Sequence, residues 1–355
     1  MLPKALILLS RQSVALAVCL LAVGNEATAE RTCSARLTLQ LPTVDGAHHA
    51  VPTGLSISPR GGLIAAGCDD HLVRLWDAQT GQQVGQIAAH RDWVRATRFS
   101  SDGQMLASVG ADHALRLWTV SGAGEPLLVR HGGGPLQAVA FYPNKNRLAT
   151  VGFGDKLRLI DLDSGDELAS YGCACEDTRT VAISPDGRWI AAAGRNGTVR
   201  LWDLEDSGGP RDLPSDGRRI RSVAFAPNAP VLATGGDGPA VRLWRLDAVA
   251  LSQPGGPTPE ELLIRPGKAH AVAFVTDDLL AVGGTGNTIT VWDVGRVSPL
   301  AVLTGHTGTI ASLAVSADGR TLVSAAFDTT VRVWNTDPLT GAAATAAKPT
   351  AEVRR

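Results

Sequence analysis

Cys173-Ala174-Cys175 is the tightest cluster in the chain whose residue types and spacing could do chemistry. Two thiols one residue apart can close a strained, reducible disulfide or offer two thiolates to a soft metal. No third and fourth ligand stands at zinc-like spacing, so the pair reads as two thiols, joined to each other or reduced, and not as a metal site. Cys33 and Cys68, the other two cysteines past residue 29, fall at opposite ends of their strands and are not expected to bridge. A second candidate is acid–base chemistry, because His90, Ser108 and Asp112 recur as His306, Ser324 and Asp328 at identical offsets. A third is a column of arginines, Arg74, Arg116, Arg158, Arg200, Arg242 and Arg332, whose regular spacing suggests a ring that could bind phosphate. The chain has no G-x-S-x-G elbow, no H-E-x-x-H, no phosphate loop and no haem-attachment C-x-x-C-H. Gly132-Gly133-Gly134 lacks a nucleophile partner and reads as a turn.

Each arginine lies two residues before a position that repeats: Trp76, Trp118, Ile160, Trp202, Trp244, Trp292 and Trp334, separated by 42, 42, 42, 42, 48 and 42 residues. A period of this length marks a repeat architecture. Inside one unit, VRATRFS, QMLASVG and ALRLW are short runs rich in apolar and β-branched residues, divided by the turn formers SSDG and ADH. The run QVGQIAA ahead of His90 supplies a fourth strand. Four short strands per repeat predict a propeller blade.

The pattern resembles the WD-repeat family, similar to G-protein β-subunits, on the pair Gly305-His306, on Trp202-Asp203 and Trp292-Asp293, and on in-register turns such as Ser184-Pro185-Asp186-Gly187 and Ser316-Ala317-Asp318-Gly319. The resemblance covers about residues 35 to 335 and implies an all-β, seven-bladed β-propeller of four-stranded antiparallel blades. The last copy has only three strands after Gly305-His306, and ARLTLQL (residues 35–41) alternates like a strand with no partners upstream. That strand is therefore expected to complete the last blade and close the ring. The resemblance also assigns His90, Ser108, Asp112 and Trp118, with His306, Ser324, Asp328 and Trp334, to structural hydrogen-bond sets, so recurrence favours satisfaction of buried polar groups over catalysis. The arginine column, on the same strand face as the tryptophans, is expected to pack and stack between blades. Copies three to six lose members of the set, with Ile160, Asn196, Gly238 and Gly286 at its positions, and are expected to rest more on apolar packing.

Residues 1–29 read as a secretory signal: Lys4 and Arg11 precede the apolar run Val14 to Val23, and Ala27-Thr28-Ala29 offers small residues for cleavage. The remaining expectations are a linker over 30–34, the propeller over 35–335, an inserted loop at 251–261 and a disordered tail over 336–355. Export places the protein outside the cell or in a periplasm. Net charge is −1 for 355 residues, and removing Lys4, Arg11 and Glu26 with the signal leaves about −2, which gives no basic footprint for nucleic acid. Membrane contact is confined to the signal before cleavage.

These readings converge on a non-catalytic scaffold with a protein or peptide partner and no cofactor or metal. The binding face expected is the one bearing the His and Asp turns, where Arg91, Asp92, Trp93, His113, Arg195, Arg218 and Arg219 depart from the repeat in residue types favoured at interfaces. The competing reading is an exported propeller enzyme or redox or metal-handling protein built on Cys173 and Cys175.

Overall fold

A computed structural model describes residues 31–340, less 45, 47, 121–123, 144, 155, 175–176, 206–208, 248–250, 252–255 and 265–266. The signal segment, Cys175, residues 252–255 of the inserted loop and the tail beyond residue 340 lie outside the described residues. Seven sheets carry the repeat. Blade 1 is Pro52–Ile57, Leu63–Cys68, Leu72–Asp77 and Gln83–Ala88, from the channel outward. Blade 2 is Val94–Phe99, Met105–Gly110, Ala114–Thr119 and Leu128–His131. Blades 3 to 6 repeat this order from the inner strands Leu136–Phe141, Thr178–Ile183, Ile220–Phe225 and Ala269–Phe274. Blade 7 has Ile310–Val315, Thr321–Ala326 and Thr330–Asn335, and its fourth strand is Leu37–Gln40 from the start of the chain. Inner strands neighbour one another around the ring, and Ile310–Val315 meets Pro52–Ile57 to close it.

The burial pattern follows from sandwiching each sheet between two others. Second strands such as Trp189–Gly194 and Leu279–Gly284 are buried at every residue, so both faces are apolar, whereas the outer strand Gln83–Ala88 alternates and faces water. The core is accordingly divided into seven clusters, one per gap between blades. Each closing residue packs back on the blade before it: Trp118 with Val73 and Ile87 of blade 1, and Trp334 with Leu303 of blade 6.

Three boundaries differ from those read in the sequence. Residues 30–34 were expected to be a linker, yet Arg31–Ser34 is a strand lying parallel to the outer strand of blade 6, Ser298–Thr304, with Cys33 opposite Leu303. Its short polar sequence hides it, since one half-buried side chain gives no alternation to read. At the other end, order continues past residue 335. Residues 337–340 form a helical turn because Leu339, 1% exposed, is held in the core between blades 6 and 7. The inserted loop is also shorter than 251–261, as the outer strand of blade 5 begins at Glu260.

One departure from regular pairing recurs in every blade. Each inner strand carries a β-bulge at its second residue, which leaves Thr53, Arg95, Gln137, Arg179, Arg221, His270 and Ala311 unmatched by the strand beside it. A bulge inserts one residue and re-aims its side chain. The backbone crowding it creates explains a repeated glycine opposite: a Cβ on Gly194 would stand 2.0 Å from the Asp177 carbonyl oxygen, and on Gly284 1.7 Å from that of Lys268.

Candidate functional site

All seven bulge residues line the central channel, a cavity of about 710 Å³. Four consecutive blades put Gln137, Arg179, Arg221 and His270 at one end of it, and Arg95 adjoins them from blade 2. Arg179 donates through Nη2 to Asp177 Oδ2 at 2.9 Å, and Arg221 through Nε to Asp237 Oδ1 at 2.7 Å. Burial, with Arg221 and Lys268 adding to it, holds His270 below the ordinary histidine value despite Asp237. Burial likewise lowers Arg95, with Asp92 opposing and Arg179 reinforcing the shift.

Among the described residues, the large aromatics that remain exposed gather on this side. Trp93 is 45% exposed, Phe327 56% and Phe153 39%. The Arg95 guanidinium lies 4.8 Å from the centre of the Trp93 ring, and that of Arg179 lies 5.7 Å from Phe153. Cationic and aromatic groups thus share one opening. Trp93 enters from the loop before the inner strand, Phe153 and Phe327 from the tight turns after second strands, the same turns that carry the Asp of each repeat.

Of the seven residues singled out in the sequence, Trp93 lines the channel. Asp92 accepts the Trp93 backbone N–H at 2.7 Å and so fixes that loop. Arg91 is exposed and its backbone N–H donates to Asp112 Oδ2 at 3.1 Å. His113 occupies a left-handed position, φ 65°, as do His71, Asn287 and Thr329 at the equivalent turn of other blades, so the turn's backbone accounts for its placement. Arg195 and Arg218 are exposed outward of the channel lining, and Arg219 is half-buried with Nε unpartnered. Arg95, Arg179, Arg221, His270, Phe153 and Phe327 were not singled out. A polar residue recurring at the second place of otherwise apolar inner strands was the signal available.

The hydrogen-bond sets have one consistent direction. Trp118 Nε1–H donates to Ser108 Oγ at 3.0 Å, Ser108 Oγ–H to His90 Nε2 at 2.9 Å, and His90 Nδ1–H to Asp112 Oδ1 at 2.8 Å. In blade 7 Trp334, Ser324, His306 and Asp328 repeat it at 2.9, 2.8 and 2.8 Å. Burial raises Asp112, but the Arg91 N–H, His90 and Arg116 outweigh it and bring the carboxyl down to about 2. His90 and His306 are pushed below the ordinary histidine value by burial, against the pull of their carboxylates. A neutral imidazole, fully bonded and buried, is a structural part. In blade 6 Val282 stands where Ser108 stands in blade 2, and the Trp292 indole N–H is buried without an acceptor. Blade 5 solves this with Thr234, whose Oγ1 accepts from Trp244 Nε1 at 3.0 Å. Val282→Thr is therefore expected to raise stability by about 1 kcal/mol, the scale of a buried hydrogen bond, read as a higher denaturation midpoint. A midpoint at or below the parent's would show the acceptor is not the missing part.

The arginine column pairs with carboxylates where stacking was expected. Arg116 meets Asp112 at 2.8 Å, Arg158 Glu167 at 3.4 Å, Arg200 Asp212 at 2.6 Å and Arg242 Asp216 at 2.7 Å; Arg74 pairs with Asp70. Carboxylates from turns and outer strands neutralise these five arginines, and Arg332, the sixth, keeps a buried Nε without a partner among the described residues, so the column forms no continuous phosphate ring. Cys173 packs half-buried on the core between blades 3 and 4. Cys68 is buried, and burial pushes its thiol up to about 12 although Arg74 opposes this.

Comparison with known proteins places this geometry in a family. Short stretches are similar to the B-type cell cycle switch protein ccs52A of Medicago truncatula (48% identical over 56 residues, 16% of this chain and 12% of that protein). The anaphase-promoting complex subunit cdh1 of Dictyostelium discoideum is 45% identical over 56 residues, 16% of this chain and 7% of that protein. Transducin beta-like protein 3 of Bos taurus is 40% identical over 73 residues, 20% and 9% of the two chains. The matched stretches thus span at most 12% of these curated relatives. The family description "WD domain, G-beta repeat" matches residues 40–77, 81–119, 167–203, 212–245 and 297–335, more than half of the chain in five repeats. With seven blades, a ring closed by its own first strands and repeat matches on both sides of that seam, the chain belongs to the WD-repeat family of β-propellers.

Proposed function

We propose that the protein is a scaffold that captures a protein or peptide partner through the channel mouth, on the face carrying the His and Asp turns. The observation that carries this reading is the coincidence of three exposed aromatics, Trp93, Phe153 and Phe327, with the bulge residues Arg95, Arg179 and Arg221. Exposed Trp, Phe and Arg clustered on a rigid ring supply the apolar anchors and charged rim of a protein interface. Relatives named as a subunit of the anaphase-promoting complex and as cell cycle switch proteins are in keeping with partner binding. An acidic surface loop fits the mouth best, since the arginines there add a local positive field to a chain of net charge −1. The triple variant Trp93→Ala, Phe153→Ala, Phe327→Ala is expected to weaken capture of the parent's cross-linked partner at least tenfold while shifting the melting temperature little. Equal capture by parent and variant would remove the mouth from the interface.

The same reading has the chain exported and cut before Glu30, on the strength of Lys4, Arg11, the run Val14 to Val23 and Ala27-Thr28-Ala29. Intact mass of protein recovered from its own host is expected to match a start at Glu30. Recovery of the whole 355-residue chain from the cytoplasm would refute export.

A further inference from the structure

The partner reading leaves one part of the channel without a role. Three residues beyond Arg95 on the same inner strand stands Arg98, in register with Ser56, Ala140, Ala182, Ala224, Ala273 and Ala314 on the other six. The repeat thus asks for a small side chain at this level of the channel and gets one in every blade but blade 2. Arg98 lines the channel and is exposed to the water within it. Among the described residues its one hydrogen bond runs from Nη1 to the Leu55 carbonyl at 3.1 Å. Arg95 keeps a buried Nε with no acceptor. Among the described residues neither guanidinium has a carboxylate within 4.0 Å, whereas Arg179 and Arg221 each have one, at 2.9 and 2.7 Å.

A guanidinium inside a narrow channel gains more from a counter-charge than one on open surface, and these two face none within ion-pair distance among the described residues. Packing gives no reason for it here, because alanine fills the same level elsewhere. A cavity of about 710 Å³ also lies within the range of roughly 300–1,000 Å³ usual for small-ligand sites. We propose that the channel is a binding site for an anionic group, carboxylate or phosphate oxygens held between Arg95 and Arg98. Guanidinium forks match such oxygens in pairs, and Arg179 and Arg221 at the mouth draw anions toward them. The group arrives either on a small molecule or as an acidic side chain of a docked peptide; both place the same atoms between the same arginines.

Calorimetry on the folded full-length chain tests this with three probes: inorganic phosphate, succinate, and a blocked peptide carrying two glutamates beside its glutamine counterpart. Saturable, salt-sensitive binding of at least one anionic probe is expected, weakened tenfold or more by Arg98→Ala and by Arg95→Gln. The exposed Arg320, in a turn outside the channel lining, supplies the control Arg320→Gln, expected to bind like the parent. Binding of phosphate or succinate points to a small-molecule source, and binding of the glutamate peptide alone points to a partner's side chain. Arg98→Ala installs the residue that five other blades already use, so its fold is expected to survive and its melting curve will say so. No binding of any probe, or equal affinity in both arginine variants, overturns the site. Partner capture through Trp93, Phe153 and Phe327 would stand in either case, so the two readings fail separately.

Discussion

Deleting residues 31–41 is expected to abolish the parent's cooperative unfolding transition or lower its midpoint far below that of any single substitution. Leu37–Gln40 is the fourth strand of blade 7, paired antiparallel with Thr330–Asn335 so that Leu39 faces Val331 and Leu37 faces Val333. Without it the strand Thr330–Asn335 has an open row of donors and acceptors. Leu39 and Leu41, 6% and 0% exposed, fill the gap between blades 7 and 1 with Leu55, Ile64 and Trp76. Two buried leucines at about 1.5–3 kcal/mol each, with the ladder bonds at about 0.5–1.5 kcal/mol apiece, approach the 5–15 kcal/mol of a whole domain. The loss also falls at the one place where the ring is not held by a continuous chain, so blades 7 and 1 can part and the others fray in turn. Deleting only 31–34 uncovers the edge of blade 6 and is expected to cost far less. Urea titration followed by tryptophan fluorescence separates the cases; coincident curves for parent and the longer deletion would mean the seam contributes nothing.

Trp118→Ala is expected to cost about 3–5 kcal/mol. The indole is 4% exposed among Val73, Leu75, Ile87 and Leu106, and its N–H anchors the chain through Ser108 and His90 to Asp112. Removing it opens a cavity against blade 1 and takes the donor from Ser108 Oγ. Trp118→Phe keeps most of the volume and isolates the hydrogen bond, while Trp292→Phe should cost less, because the Trp292 N–H has no acceptor to lose. Equal costs for the two phenylalanine variants would show that the polar chain adds nothing beyond packing. Both comparisons need only equilibrium denaturation.

The architecture was legible because its signal is long-ranged: a closing Trp or Ile at intervals of 42 residues, with one of 48, dictates the number of blades before any strand boundary is known. Ring closure by residues 35–41 followed from counting strands, and pairing of Leu37–Gln40 with Thr330–Asn335 is what the structure contains. Arg31–Ser34 was missed because a parallel edge strand of four residues needs no apolar alternation. The candidate site was legible only in outline. Departures from the repeat pointed to Trp93 at the channel mouth, but they favoured turn residues that serve the backbone, as His113 does with its positive φ. What selects the channel lining is the bulge, and nothing in Thr53, Arg95, Gln137, Arg179, Arg221, His270 and Ala311 taken singly announces it. Phe153 and Phe327 directly follow second strands and look like core residues until the turn carries them outward. The arginine column went astray for a related reason, since its carboxylate partners sit up to 26 positions away, as Asp216 does for Arg242.

The antiparallel pairing of Leu37 with Val333, with the Arg36 N–H donating to the Val333 carbonyl at 2.7 Å, brings the end of the strand Thr330–Asn335 close to the start of the strand Leu37–Gln40. A short engineered turn from 335 to 35 would therefore make blade 7 covalently like its six neighbours and free the chain to begin elsewhere. Circular permutants opened in any surface connection between blades should keep the same ring, with the stitch moved to whichever blade the new ends divide.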